Sequence, residues 1–171
     1  IAHIPDINDF CFSLFKILHN DGVITVEFHH LLKLIKYNAF DTIYHEHQFY
    51  HSAFTLKKIF EKHSLKVFDA DEINTHGGSL RLYICKKDNK KFKESKKLNK
   101  LISKEKRFGI NKISTYRKFR KKITDSVHDF SLKLFDIKRK NKKIYAYGAA
   151  AKGNTFINYL KLDNNMISGI Y

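Results

Sequence analysis

With 171 residues, 43% of them hydrophobic and 14% aromatic, the chain can bury a core in one ordinary domain or two small ones. No stretch approaches the roughly 18 to 20 apolar residues of a membrane-spanning helix, so we expect no membrane partner. Cys11 and Cys85 are isolated, which is typical of a reducing compartment, and we predict a cytoplasmic protein without a cysteine metal site.

The net charge of +16 is concentrated in one segment. Residues 86–143 contain 23 Lys and Arg against 6 Asp and Glu, whereas the remainder is close to neutral. Lysine dominates this excess, and an AT-rich genome would produce that bias without a polyanionic partner. We therefore do not expect nucleic-acid binding, although a basic helical nucleic-acid-binding protein is an alternative.

In the first half of the chain, apolar spacing predicts short helices and strands. Helical spacing covers residues 8–19 and 55–63, and residues 29–37 also favour a helix. Residues 23–28 are rich in β-branched residues and indicate a buried strand. Residues 66–73 and 79–85 predict an antiparallel hairpin across a glycine-containing turn.

The basic segment contains a sustained helical stripe, and a strand–helix–strand pattern follows it. The stripe predicts one long helix that packs on the body through apolar residues: Ile113, Tyr116, Phe119, Ile123, Val127, Phe130, Leu134 and Ile137. After it we predict a strand at 144–147, a glycine- and alanine-rich turn at 148–153, a helix at 154–160 and a strand at 166–171.

Residues 44–47 read Tyr-His-Glu-His and place a phenol, two imidazoles and a carboxylate on consecutive positions. Such a run is costly in a core, because each polar head needs a partner or water. The same groups serve proton transfer, so the run indicates an enzyme, with a solvated loop as the alternative. A zinc motif of the HExxH type would need histidine at position 49, where Phe49 stands.

The spacing within this run allows two local geometries. In an extended segment Tyr44 and Glu46 share one face, while His45 and His47 share the other. In a helical turn Tyr44 and His47 share a face instead. Because only the turn brings the phenol to His47 without a bend, we predict a turn-like conformation.

Two other segments are weak signals when each is taken alone. Residues 75–81 read Thr-His-Gly-Gly-Ser-Leu-Arg, which is either a simple hairpin turn or a place where glycine amides and Arg81 approach a phosphate or sugar. Residues 147–155 read Tyr-Gly-Ala-Ala-Ala-Lys-Gly-Asn-Thr between a strand and a helix, where backbone amides can face an anion.

Together and in this order, the segments 40–47 (Phe-Asp-Thr-Ile-Tyr-His-Glu-His), 76–81 and 147–155 resemble the S-adenosylmethionine-dependent sugar C-methyltransferases. Residues 2–6, Ala-His-Ile-Pro-Asp, are also similar to that family. Its members act on nucleotide-linked keto-deoxysugars, so the resemblance implies such a substrate. It also implies an α/β fold: a partial class I methyltransferase sheet whose last strands include an antiparallel hairpin, then long basic helices, then the start of a Rossmann-like α/β domain.

The resemblance also implies a division of the chain. Residues 1–87 would be the C-terminal part of the methyltransferase domain, 88–143 a basic helical connection, and 144–171 the truncated start of the C-terminal Rossmann-like domain. The family's N-terminal zinc-binding domain and most of its S-adenosylmethionine pocket would lie outside this chain. We therefore expect S-adenosylmethionine as cofactor, zinc only in that missing domain, and no metal ligands here.

In the mechanism that the resemblance implies, a base removes a proton from the carbon next to the ketone, and the carbanion attacks the methyl group. His47 matches the base, with Tyr44 and Glu46 as companions that hold the ketone and orient the imidazole, whereas we expect His45 to be structural. His3 matches a cofactor contact. The expected substrate contacts are Ser79, Arg81, Lys152 and Asn154. An inactive or binding-only fragment is the alternative.

Overall fold

The computed structural model describes residues 1–75, 77–148 and 150–171; His76 and Ala149, which belong to two of the family-like segments, lie outside the described residues. The helices and strands follow one another in this chain order: α1 (Ile7–Ile17), β1 (Ile24–His29), α2 (Leu31–Lys36), a 3₁₀ turn (Phe40–Thr42), α3 (Ala53–Lys62), β2 (Leu65–Ile73), β3 (Ser79–Lys86), α4 (Lys96–Phe108), α5 (Ile113–Arg139), β4 (Tyr145–Ala146), α6 (Ala151–Leu160) and β5 (Gly169–Ile170).

The first three strands form an antiparallel sheet in the order β1–β3–β2. The central strand β3 places Arg81 opposite Glu27 of β1 and opposite Asp71 of β2. Since both outer strands run antiparallel to β3, β1 and β2 run in the same direction. The predicted hairpin is confirmed, and so is an α/β chain with a small antiparallel sheet and several helices.

We predicted β1 as a buried strand, but only one of its faces is covered. Val26 and Phe28 are buried, whereas Thr25 and Glu27, which alternate with them along the strand, are exposed. Successive side chains of a strand point to opposite faces, and an antiparallel sheet commonly has one apolar and one polar face. The polar face of β1 leads to the cavity described below.

The apolar face of the sheet packs in one core with residues of α1, α3 and α4. Leu82 of β3, Phe60 of α3 and Leu98 of α4 are fully buried in this core. Helix α4 begins with a Ser95 side chain that accepts a hydrogen bond from the Leu98 amide at 3.0 Å. The predicted basic connection therefore contains a helix that belongs to the same core as the sheet.

The long helix predicted from the apolar stripe is confirmed as α5, which covers all eight stripe positions. Tyr116 and Phe119 pack against the cluster formed by α2, and Ile123 and Leu134 are buried. The ends of the stripe are more open, since Ile113 is 67% exposed. The predicted packing on the body holds for the middle of the helix.

The strand–helix–strand pattern at the end of the chain is also confirmed, because β4 and β5 pair in parallel on either side of α6. The helix begins at Ala151, three residues earlier than predicted. Gly148 has a positive φ of 87°, and helix formation starts soon after it because alanine favours a helix. This start places Lys152 and Asn154 in the first turn of α6. In the described ranges no helix is long and apolar enough to cross a membrane.

Candidate active site

The Tyr-His-Glu-His segment adopts a turn, as its spacing predicted. The His47 amide donates a hydrogen bond to the Tyr44 carbonyl at 3.1 Å. The two side chains then lie together, with ring centroids 4.5 Å apart. His45 and Glu46 occupy the outside of the turn and are exposed. The turn therefore places the His47 imidazole closer to the phenol than the exposed His45 ring, whose centroid lies 6.3 Å from that of Tyr44.

The 3₁₀ turn before this segment fixes the His47 ring. Its Nδ1 lies 3.0 Å from the Thr42 carbonyl oxygen, and the Tyr50 hydroxyl donates to the same oxygen at 3.1 Å. A carbonyl oxygen can only accept, so Nδ1 carries the proton and a neutral imidazole has its lone pair on Nε2. We expected Glu46 to orient the imidazole; the atom within hydrogen-bond reach is the Thr42 carbonyl instead.

A cavity of about 400 Å³ lies beside this ring. Cavities of this size are typical of small-molecule sites. Segments distant in sequence line it: Ile1, Ala2, His3, Glu27, Phe28, His29, Thr42, Tyr44, His47, Ser79 and Lys152. The turn, the end of β1, the start of β3 and the first turn of α6 thus meet at one place.

The cavity brings together several of the residues predicted for the site. His3 stands beside His47, with ring centroids 5.0 Å apart and the rings nearly perpendicular. The backbone holds this N-terminal segment in place, because the Gln48 amide donates to the Ala2 carbonyl at 2.9 Å. Ser79 is almost completely buried in the cavity wall, whereas Lys152 reaches the cavity from the exposed start of α6.

Three other predicted site residues, Arg81, Asn154 and Glu46, are not among the residues that line this cavity. Arg81 is engaged on the polar face of the sheet, where its Nη2 lies 2.8 Å from a carboxylate oxygen of Glu27. The Asn154 side chain accepts a hydrogen bond from Asn158 at 3.2 Å along the exposed side of α6. Glu46 points outward from the turn. The cavity walls in the described part of the chain therefore include Ser79 and Lys152 but none of these three.

Sequence reasoning missed His29 as a cavity residue. It ends β1 directly opposite Ser79, on the same face as Glu27. Its Nε2 is buried and, among the described residues, has no hydrogen-bond partner. Burial lowers the pKa of His29, and the positive charge of Lys152 lowers it further; His47 and His30 act in the same direction when they are protonated, and Asp41 acts in the opposite one. The strand alternation that separates Glu27 and His29 from their neighbours was the available signal.

The next residue, His30, points to the other side of the sheet and is fully buried. Its Nε2 lies 2.7 Å from Oε1 of Glu105, a fully buried residue of α4. The Glu105 carboxylate also accepts the first amides of α3, from Ala53 at 2.9 Å and from Phe54 at 2.7 Å. This carboxylate therefore connects His30, the residue that follows β1, with the start of α3 and with α4 behind the cavity.

Within residues 1–75, 77–148 and 150–171, no group of three His, Cys, Asp or Glu side chains is arranged to hold a metal ion. The groups that line the cavity include the His47 imidazole, the neighbouring Tyr44 phenol and the Lys152 cation.

Comparison with known proteins adds an independent observation. Residues 74–171 match the family described as the C-methyltransferase C-terminal domain. The chain is also 32% identical over 159 residues to the C-methyltransferase NovU of Streptomyces niveus. That alignment covers 91% of this chain but only 37% of the relative, so the chain spans little more than a third of the relative's length.

Proposed function

Because the C-methyltransferase C-terminal domain matches more than half of this chain, the chain belongs to the C-methyltransferases, and we propose that it forms part of an S-adenosylmethionine-dependent enzyme. In this proposal the methyl group goes to a carbon next to the ketone of a nucleotide-linked keto-deoxysugar. The hydrogen bond from His47 Nδ1 to the Thr42 carbonyl is the observation that carries the proposal. It leaves Nε2, the other nitrogen of the imidazole, able to accept a proton.

His47 is the proposed general base. A hydrogen next to a ketone is acidic because the electron pair left behind delocalises onto the ketone oxygen as an enolate. The His47 Nε2 accepts this proton, and the resulting imidazolium keeps its Nδ1 hydrogen bond to Thr42. The bond to a carbonyl dipole orients the ring before the reaction and stabilises its positive charge afterwards.

Tyr44 is the proposed partner of the developing oxyanion. Its ring lies 4.5 Å from the His47 ring, so the phenol and the base can address neighbouring atoms of one substrate. A hydroxyl placed where negative charge develops lowers the barrier, because it donates more strongly to an enolate than to a ketone. Glu46 stays outside this pair in the geometry described here, and we assign the orienting role to Thr42.

Lys152 and Ser79 are the proposed contacts for the substrate's polar groups. Lys152 brings a positive charge to the cavity mouth, which suits the phosphates of a nucleotide-linked sugar. Ser79 supplies a hydroxyl from the buried wall. Arg81 is already paired with Glu27 and Asn154 with Asn158, which favours Ser79 and Lys152 over these two as direct contacts.

S-adenosylmethionine, when bound, would supply the electrophilic methyl group that the carbanion attacks. The residues present fit one side of such a donor: Ile1, Ala2 and Phe28 form an apolar wall, and His3 adds an imidazole next to His47. We propose that the rest of the donor pocket, and a zinc-binding domain, lie outside this chain.

The topology supports the proposed division of the chain. An antiparallel strand between two strands of equal direction suits the closing edge of a class I methyltransferase sheet, which we assign to residues 1–87. The parallel β4–α6–β5 unit suits the start of a Rossmann-like domain at 144–171. Residues 88–143 connect them, with α4 packed on the first unit and the middle of α5 on α2.

The direct test of the base is the His47→Ala variant in the complete protein. We expect turnover to fall by about 10²- to 10⁴-fold, the usual contribution of a general base. The measurement is methyl transfer from labelled S-adenosylmethionine to a nucleotide-linked keto-deoxysugar. Exchange of the substrate's acidic hydrogen with deuterated solvent should fall in parallel, since it requires the same proton removal.

The matched control is His45→Ala, which removes the exposed imidazole two positions away. This variant should keep nearly the wild-type rate, because His45 lies on the outside of the turn. Wild-type turnover in His47→Ala would contradict the assignment of His47 as the general base. An equal loss of turnover in His45→Ala would show that the assay responds to the turn as a whole rather than to one imidazole.

A further inference from the structure

Aromatic side chains hold α6 against the 3₁₀ turn. Phe40 of that turn packs on Phe156 and Tyr159 of α6, with ring centroids 5.9 and 5.2 Å apart. Phe130 of α5 meets Phe156 from another side, edge to face, at 5.1 Å. Aromatic pairs at these separations contribute beyond the area that they bury. The three rings from the turn and α6 thus form a joint between distant parts of the chain.

The joint lies on the same side of α6 as the cavity cation. Lys152, Phe156 and Tyr159 are spaced i, i+4 and i+7, so they form one stripe along the helix. Lys152 lines the cavity at one end of this stripe, and the two rings grip Phe40 further along it. The position of the Lys152 ammonium group therefore depends on how Phe156 and Tyr159 pack against Phe40 of the 3₁₀ turn.

The same short turn controls the base. Thr42, two residues after Phe40, provides the carbonyl oxygen that accepts the Nδ1 hydrogen of His47. The 3₁₀ turn thus touches the imidazole through its backbone and α6 through its aromatic side chain. One end of the 3₁₀ turn therefore holds the proposed base, His47, and the other end holds the helix that carries Lys152.

We propose that Phe40, Phe156 and Tyr159 are positioning residues that hold Lys152 over the His47 cavity, where it receives the anionic part of the substrate. The meaning for catalysis rests on the proposed function, whereas the placement of Lys152 does not. The aromatic residues themselves need not touch the substrate. Their role is to set the distance between the cation and the base.

His29 provides an internal reporter of this placement. It lines the same cavity, and after burial the charge of Lys152 is the strongest influence that lowers its pKa; His47 and His30 act in the same direction and Asp41 in the opposite one. A cation nearby disfavours the imidazolium form, so removal or displacement of Lys152 must raise the pKa of His29. Nuclear magnetic resonance titration of the His29 ring reads this without any turnover.

The experiment compares Lys152→Ala, Phe156→Ala and the double variant in the complete protein. We expect the pKa of His29 to rise in both single variants, and the double variant to titrate like Lys152→Ala alone. This non-additivity separates loss of the cation from a general change in hydration. In the methyl-transfer assay, KM for the nucleotide-linked sugar should rise roughly two- to tenfold in Phe156→Ala, as aromatic pair energies suggest. The pH dependence of kcat should stay unchanged.

Phe12→Ala is the matched control, because Phe12 is an aromatic residue on α1 that is 53% exposed. It should leave the His29 titration unchanged. If Phe156→Ala does not fold, Phe156→Leu removes the aromatic contact with less loss of volume, and circular dichroism verifies the fold of each variant. An unchanged His29 pKa in folded Phe156 variants, or in Lys152→Ala, would overturn the proposal. A shifted titration without any methyl transfer would instead leave the joint in place and refute the proposed function.

Discussion

Two adjacent histidines, His29 at the end of β1 and His30 directly after it, point to opposite faces of the sheet and have different environments. His30 is fully buried, and its Nε2 meets the Glu105 carboxylate at 2.7 Å. His29 lines the cavity with His47 and Lys152. The alternation of side chains along a strand separates them. The same residue type therefore packs in the core or lines the cavity according to the face of the sheet on which it lies.

The two faces also differ in how their charges are satisfied. On the buried face, one carboxylate of Glu105 serves an imidazole and two backbone amides at once, out of contact with water. On the polar face, Glu27 and Arg81 pair across the strands while both remain more than a third exposed. Loss of the buried carboxylate should therefore affect folding, whereas loss of His47 should affect chemistry.

Glu105→Ala should produce the largest change in stability. It leaves the His30 imidazole and the first amides of α3 without their partner, and breaking a buried pair in this way costs about 3 to 5 kcal/mol. Urea unfolding measures the loss in free energy of unfolding. The molecules that remain folded should keep their activity, because the carboxylate lies behind the cavity rather than in it.

Glu105→Gln is the control for this prediction, since its amide oxygen can still accept from the backbone and its volume is similar. We expect it to be intermediate in stability. If Glu105→Ala unfolds at the same urea concentration as the wild type, the view of this face as a structural network is wrong.

The next largest effect is expected from acid, which should lower the free energy of unfolding because His51 is buried in its neutral form. Burial lowers the pKa of His51 to about 4 from an ordinary value near 6.5. The unfolded chain therefore binds a proton before the folded one does. Stability that is present above pH 6.5 is lost as the pH falls toward 4, by about 2 to 3 kcal/mol.

The measurement is urea unfolding at several pH values between 7 and 4. A His51→Gln variant cannot bind that proton and should lose less stability over this interval than the wild type. His29 contributes in the same direction, since its pKa is also lowered. Equal pH slopes in wild type and His51→Gln would show that His51 does not control the acid response.

The smallest effect is expected for an ion pair far from both faces. Lys121 and Asp125 pair at 2.9 Å on the outside of α5, where both side chains are more than half exposed. Because water screens such a pair, Asp125→Ala should lower the free energy of unfolding by about 0.5 kcal/mol or less. If Asp125→Ala lowered the free energy of unfolding as much as Glu105→Ala does, buried and exposed charges would not differ in their contribution to stability.

Much of the local structure could be predicted from the sequence. The eight-residue apolar stripe of α5 has helical spacing and is one helix, and the glycines at 77 and 78 sit between two strands of a true hairpin. The turn at residues 44–47 followed from the need to bring Tyr44 to His47. In each case the determining interactions lie within a few residues along the chain.

The start of α6 and the partners of several polar side chains could not be predicted in the same way. Arg81 was expected at the substrate, but the β1–β3 register places Glu27 directly opposite it. Glu105 stood in a lysine-rich segment with no sign that it is fully buried against His30. These pairings join residues that are dozens of positions apart, and spacing along one segment contains no information about them.

The amino-acid order alone therefore accounts for periodic helices, the hairpin, the turn at residues 44–47 and a recognisable set of ordered segments, because these depend on local backbone geometry and nearest neighbours. The packing of the folded chain accounts for the rest. It chooses the Thr42 carbonyl over Glu46 as the partner of His47, turns His29 to the cavity and His30 to the core, and brings Lys152 from α6 to the same cavity. Those choices depend on sheet register and aromatic packing between distant segments, which only a three-dimensional arrangement specifies.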